Sequence, residues 1–195
     1  MRRTAVSRTR ALPDTGRLAL WCLTILVSLL LSAQAVFASA DLRRFVGTYR
    51  GTAEVEQLDG KVEQRDMSVT IQVTYDGFWV QWSTAIRRAD GREKTKTYKI
   101  EFLPSERSGV YAAAMKTNVF GHTVQMNPME GEPFVWARVI DDTLTVFSLY
   151  VAENGDYLMQ QYDRTLAEGG LKLDFSSHRN GLASRTVTTF LTRDD

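Results

Sequence analysis

The sequence predicts an all-β protein, a single antiparallel up-and-down β-barrel of about 8–10 strands behind a cleaved signal peptide. Three observations lead there. After Asp41, apolar and polar residues alternate with a period of two, the spacing of a strand with one face in a core and one in water. Turn-forming pairs such as Asp76-Gly77, Asn154-Gly155 and Asn180-Gly181 interrupt the alternation at short intervals. No stretch after Asp41 carries a helical period, which leaves hairpins as the building unit.

The N-terminal segment is read first. Arg2, Arg3, Arg8, Arg10 and Arg17 stand against one acid, Asp14. An uncharged, leucine-rich run covers 18–31, and 32–40 is mostly small residues ending in Ala38-Ser39-Ala40. A basic head, an apolar core and a small-residue exit, in that order, are what a signal peptidase substrate needs. Residues 1–40 are therefore expected to be a signal peptide and 41–195 one exported domain, periplasmic or extracellular. The alternative is a retained anchor, since a membrane span needs about 20 apolar residues. Membrane association is expected only in that case.

Removal of residues 1–40 takes away Cys22, the only cysteine, and leaves 19 Lys and Arg against 22 Asp and Glu. A slightly acidic chain has no bulk electrostatic reason to bind nucleic acid. Without disulfides the domain depends on its core alone, which is feasible because a chain of about 150 residues buries roughly 68–70% of its unfolded surface.

The strands follow in order. The first is read over 44–57, ending at Asp59-Gly60. The second, 61–75, sets Met67, Val69, Ile71, Val73 and Tyr75 on one parity and Ser68, Thr70, Gln72 and Thr74 on the other. Asp76-Gly77 is read as a tight turn in which both residues accept positive φ, and Phe78, Val80 and Trp82 resume the row in a third strand, 78–87. Asp90-Gly91 leads into 92–103, and Ser108-Gly109 into 109–116. The segment 116–133 breaks the rhythm with Gly121, Asn127-Pro128, Gly131 and Pro133. It is read as a short strand, 119–126, and a loop, forming either a lid or a hairpin packed over the barrel end. The remaining strands are 134–140, 143–152, 157–166, 171–179 and 183–193, each bounded by turn residues.

Connections this short exclude crossover helices, so neighbours in sequence pair antiparallel. A sheet of eight or more such strands has edges to hide, and closure into a barrel hides them. A two-sheet sandwich is the alternative, but it needs longer connections between sheets.

The first strand carries Gly47-Thr48-Tyr49-Arg50-Gly51. A Gly-x-aromatic there, at the head of a meander of this length, resembles the lipocalin-like (calycin) superfamily. The resemblance implies that Tyr49, standing where that group usually has Trp, plugs the closed end of the barrel. It also implies that Arg193 in the last strand covers Tyr49. Read physically, Gly47 and Gly51 permit close backbone approach at a barrel corner.

No residue is singled out for catalysis or for a metal. His122 and His178 are the only histidines and lie 56 residues apart, with no cysteine after Cys22, a poor basis for zinc. Asp174, Ser176 and His178 share one parity, but a solvent face opposite Leu171, Leu173 and Phe175 explains the row. An enzyme is therefore the less expected reading, and no cofactor is named. The basic run of Arg87, Arg88, Arg92, Lys94, Lys96 and Lys99 is read as a solvated hairpin or a dock for an anionic lipid head group or an acidic partner.

More informative are two arginines embedded in apolar rows. Arg138 shares a parity with Phe134, Trp136 and Ile140, and Arg164 shares one with Leu158, Tyr162 and Leu166. A buried guanidinium costs several kcal/mol unless paired, so one kept inside a barrel suits a carboxylate it can grip bidentately. In small lipid-binding relatives of the same superfamily an inward Arg with a nearby Tyr holds a fatty-acid head, and Tyr162-x-Arg164 resembles that pattern. Candidate ligand-binding residues are Arg138, Trp136, Tyr162, Arg164, Trp82 and Tyr98. Otherwise these rows face outward, or Arg138 pairs with an acid such as Asp163. The expected function is a monomeric or dimeric barrel holding a small apolar, amphipathic or fatty-acid-like ligand. The alternative is a non-enzymatic envelope protein with a filled barrel and a partner surface around Trp79.

Overall fold

Alternation becomes strand wherever one parity finds a core, and in this protein the core is the inside of a closed cylinder. A computed structural model describes residues 42–56, 62–87, 92–117 and 123–194; residues 1–40, expected to be a signal peptide, Asp59-Gly60, Asp90-Gly91 and His122 lie outside the described residues. The strands are β1 (Gly47–Glu56), β2 (Val62–Val73), β3 (Phe78–Arg87), β4 (Glu93–Pro104), β5 (Val110–Ala113), β6 (Lys116–Thr117), β7 (Thr123–Val124), β8 (Phe134–Ile140), β9 (Thr143–Val151), β10 (Tyr157–Ala167), β11 (Gly170–Arg179) and β12 (Leu182–Arg193). Ten of them close a barrel in the order β1-β12-β11-β10-β9-β8-β5-β4-β3-β2, and β6 with β7 forms a separate two-stranded ribbon. Every pairing is antiparallel, and closure rests on Tyr49 opposite Arg193 and Arg50 opposite Thr192. The barrel, not the sandwich, is the architecture.

The inward parity is continuous around the sheet. Val69 on β2 lies opposite Trp82 on β3, which lies opposite Tyr98 on β4. On the far wall Val146, Tyr162 and Phe175 are in register across β9, β10 and β11. One half of the cylinder is solid. There Ile71, Phe78, Phe102, Leu171 and Leu191 are buried, with Phe78 stacked on Phe102 and edge-on to Tyr111, each at 5.0 Å between centroids.

The same end is plugged by a turn that replaces the start of the expected first strand. Residues 42–45 coil, with the Phe45 N–H donating to the Leu42 carbonyl at 3.1 Å, and both side chains are buried. Their spacing of three brings them to one side of a turn. Tyr49 lies inside this plug at 1% exposure. Its hydroxyl donates to the Phe45 carbonyl at 3.0 Å, and burial raises its pKa although Arg193 pulls the other way. The Arg193 guanidinium lies 5.7 Å from the Tyr49 ring and donates to the Val46 carbonyl.

Two glycines mark close approach. A Cβ on Gly51 would sit 2.4 Å from the Phe190 carbonyl oxygen, as expected for a barrel corner. Gly77 corrects the turn reading: it does not have positive φ, and the Gly77 N–H is instead held by Thr74 Oγ1 at 3.0 Å. What demands glycine there is space, because a Cβ would lie 2.0 Å from the Phe102 carbonyl oxygen. Gly77→Val is expected to cost about 3 kcal/mol, the upper end of overpacking, because backbone is the obstacle. A loss of unfolding free energy below about 1 kcal/mol, read from the urea midpoint and slope, would reject the steric account.

The irregular segment is neither a full strand nor all loop. Pro128–Glu130 forms a 3-10 turn whose cap, Asn127, accepts from the Met129 N–H at 3.0 Å. The Glu132 carboxylate accepts from the Asn127 N–H at 3.0 Å and from the Lys116 ammonium. These contacts tie the two ends of the segment together.

Candidate functional site

The other half of the cylinder is hollow. A cavity of ≈ 290 Å³ opens among β1–β4 and β10–β12, lined by Met67, Trp82, Tyr98, Tyr162, Phe175 and Arg164 among others. A second lobe of ≈ 230 Å³ shares Trp82, Tyr98, Gln160 and Tyr162 with it and continues past Ile100 and Val146 to Met115 and Pro133. Pro133, which ends the irregular segment, and Met115, which immediately precedes it, thus stand in this wall.

Arg164 is the centre of the larger lobe. Alternation on β10 turns Tyr162, Arg164 and Leu166 inward, and register sets Arg164 between Leu144 and Leu173. It is 1% exposed, and its Nε and Nη1 have no hydrogen-bond partner among the described residues. The guanidinium carbon lies 5.4 Å from the Tyr162 ring and 5.7 Å from the Trp82 ring. Cation–π contacts within about 6 Å offset part of the desolvation of a cation, by roughly 2 kcal/mol when water is excluded, but they leave the N–H groups unsatisfied. Burial pulls the Arg164 pKa down to about 10, opposed by Tyr162 and Asp163, so the group is charged throughout the neutral range. Burial also raises the Tyr162 pKa, against the pull of Arg164, and the phenol keeps its proton as a donor.

An aromatic band surrounds this cation. Trp82 stacks on Tyr98 and tilts against Tyr162, both at 5.6 Å, and Tyr162 meets Phe175 at 4.7 Å. Of the six residues expected to line a ligand site, the structure therefore brings four together: Tyr162, Arg164, Trp82 and Tyr98.

Arg138 and Trp136 are corrected. Both rows of β8 are apolar, and the one that turns inward is Val135, Ala137 and Val139. Ala137 faces Tyr111 and Val146 and is fully buried, in the core cluster that also holds Phe78 and Tyr111. Trp136 and Arg138 consequently stand on the outer face. Trp136 stacks on Phe147 at 4.8 Å and the exposed Arg138 covers the same ring at 5.3 Å. Asp163 is no internal partner either: it is on the outer face, accepting from Thr145 at 2.6 Å and Gln161 at 2.7 Å. Trp79 is also outward, with the Lys99 ammonium 4.2 Å from its ring. Asp174 belongs to an outer row too, held by Thr188 at 2.7 Å and Lys172 at 2.9 Å.

Three further charged residues line the larger lobe, Arg65, Lys96 and Arg185; of these only Lys96 had a binding reading, within the basic run. The signal was in the parity. Arg65 continues the row of Met67 and Val69, Lys96 that of Tyr98 and Ile100, and Arg185 that of Val187 and Leu191.

No family model matches the chain, and no curated protein matches it. Among solved structures it is similar to the S-type phycobiliprotein lyase CPES from Guillardia theta, with a TM-score of 0.35 and 9% identity over 80% of this chain and 92% of that chain. A likeness so distant carries no argument about activity. On its own topology, the closed ten-stranded antiparallel barrel fits a lipocalin-like fold.

Proposed function

We propose that the protein is an exported barrel, working from Asp41 onward, that holds a small amphipathic ligand in its interior with an anionic head on Arg164. One observation carries this reading: a guanidinium that is 1% exposed, with Nε and Nη1 unpartnered among the described residues, faces a cavity. A buried charge left in that state costs several kcal/mol, and a carboxylate meets it with two parallel hydrogen bonds. The cavity volume of ≈ 290 Å³ is at the lower edge of small-molecule sites, roughly 300–1,000 Å³. The aromatic band supplies apolar walls. The basic head, apolar core and Ala38-Ser39-Ala40 exit of the first 40 residues support export.

Native mass spectrometry of protein purified from its own source tests both halves. The expected result is the mass of the chain from Asp41 plus an adduct that denaturing solvent removes. A bare chain that also fails to bind dodecanoate in calorimetric titration overturns the ligand reading. A mass that includes residues 1–40 overturns cleavage.

A further inference from the structure

The two lobes differ in charge. Arg65, Lys96, Arg164 and Arg185 all line the larger one, and no Asp or Glu is among its lining residues. The smaller lobe has no charged residue in its lining, and its polar side chains are Ser148, Gln160 and the hydroxyls of Tyr98 and Tyr162. Among the described residues, one of the four cations has a carboxylate partner: Arg65 donates to Glu63 through Nε at 2.9 Å and Nη2 at 2.7 Å. Arg164, Lys96 and Arg185 remain, and a single carboxylate on Arg164 balances only one of them.

Register places the three at different depths. Arg164 lies opposite Leu173 on β11, while Arg185 lies opposite Ser177, four residues nearer the mouth, or roughly 13 Å at strand spacing. Lys96 is two residues toward the mouth from Tyr98, which stacks on Trp82. Long side chains reach inward from both rim positions. A volume of ≈ 290 Å³, if compact, is about 8 Å across, no more than a Debye length at physiological salt, so an anion in it feels all three.

Resting on the reading that Arg164 takes an anionic head, we infer that the head carries two negative charges, the charge of a phosphomonoester. Its apolar tail turns into the uncharged lobe beneath Met115 and Pro133. A phosphomonoester carries about −1.5 to −2 at neutral pH and offers three strong acceptor oxygens, enough for the Arg164 fork and the rim cations together. Guanidinium groups match phosphate bidentately, and Gln160 and Tyr162, at the junction of the lobes, add neutral donors.

Calorimetric titration at pH 7.5 with monomeric dodecyl phosphate, dodecanoate and inorganic phosphate tests this. Two exposed ion pairs, each of ordinary size, amount to about a tenfold preference for dodecyl phosphate over dodecanoate. The double variant Lys96→Gln/Arg185→Gln, altered only at exposed positions, is expected to lose most of that preference, weakening dodecyl phosphate more than dodecanoate. Inorganic phosphate is expected to bind far more weakly than dodecyl phosphate. Equal affinity for the two amphiphiles, or a preference unchanged in the double variant, overturns the dianionic head and leaves the Arg164 reading standing. Inorganic phosphate binding as tightly as dodecyl phosphate overturns the tail assignment. If neither amphiphile binds, both readings fall together.

Discussion

Arg164→Leu is expected to leave the barrel folded, and no less stable, while removing its hold on anionic amphiphiles. The two effects have one cause. In the ligand-free protein the guanidinium is desolvated and its Nε and Nη1 have no partner among the described residues, a cost that its two aromatic neighbours offset only in part. Leucine at this site meets Leu144 and Leu173 in register. Replacing poorly compensated buried charge by apolar side chains of similar volume is neutral or stabilising by about 1–4 kcal/mol. Removing one partner of a buried ion pair costs about 2–5 kcal/mol of affinity, at least about thirtyfold in Kd. Urea denaturation of the ligand-free protein and titration with dodecanoate read the two changes separately. A variant that unfolds would show Arg164 to be structural, and one that binds dodecanoate as before would remove it from the site. Arg138→Leu is the control, because Arg138 lies outside the barrel over Phe147, and dodecanoate affinity should not change.

The largest loss of stability is expected from Tyr49→Ala. The ring is 1% exposed in the plug, touching Arg193 and bonded to the Phe45 carbonyl. Truncating a buried aromatic to alanine costs about 3–5 kcal/mol, a large share of the roughly 5–15 kcal/mol that holds a domain together. No disulfide stands behind it, since Cys22 is the only cysteine. Tyr49→Phe removes the hydroxyl alone and is expected to cost about 1 kcal/mol, the net worth of one hydrogen bond. Arg193→Ala combined with Tyr49→Ala should cost less than the two singles added, because each loses the same contact. Additivity within error would show the Tyr49–Arg193 pair to be geometric neighbours without an energetic link. A loss below about 1.5 kcal/mol for Tyr49→Ala would mean that Leu42 and Phe45 close the end without it.

The strands were legible because barrel strands have a single buried parity. Met67, Val69 and Ile71 could only face one way, and β3 and β8 occupy the ranges expected of them, 78–87 and 134–140. Turn chemistry located most boundaries as well: Asp141 and Asn180 adopt φ of 51° and 50° between their strands, conformations that Asp and Asn tolerate. The site was half legible. Tyr162-x-Arg164 stood out as an unusual charge in an apolar row, Lys96 belonged to a basic run read as solvated or docking, and Arg65 and Arg185 sat on the correct parities yet looked like ordinary solvated charges.

What the residues determined by themselves is local: the period of two, the turn pairs, an Arg within an apolar row, and an N-terminal segment with the order of an export signal. What only the tertiary structure decided depends on neighbours distant in sequence. On β8 both rows are apolar, so alternation leaves the choice open; closure of the barrel sets Ala137 inside, opposite Tyr111 and Val146, and leaves Trp136 and Arg138 outside. Gly77 looked like a turn former, and the Phe102 carbonyl 25 residues away is what excludes a side chain there. Whether the barrel is full or hollow was undecidable from one chain's pattern, because an inward row reads the same against a packed wall as against empty space. Only closure of ten strands, solid around Phe78 and open around Arg164, separates the two.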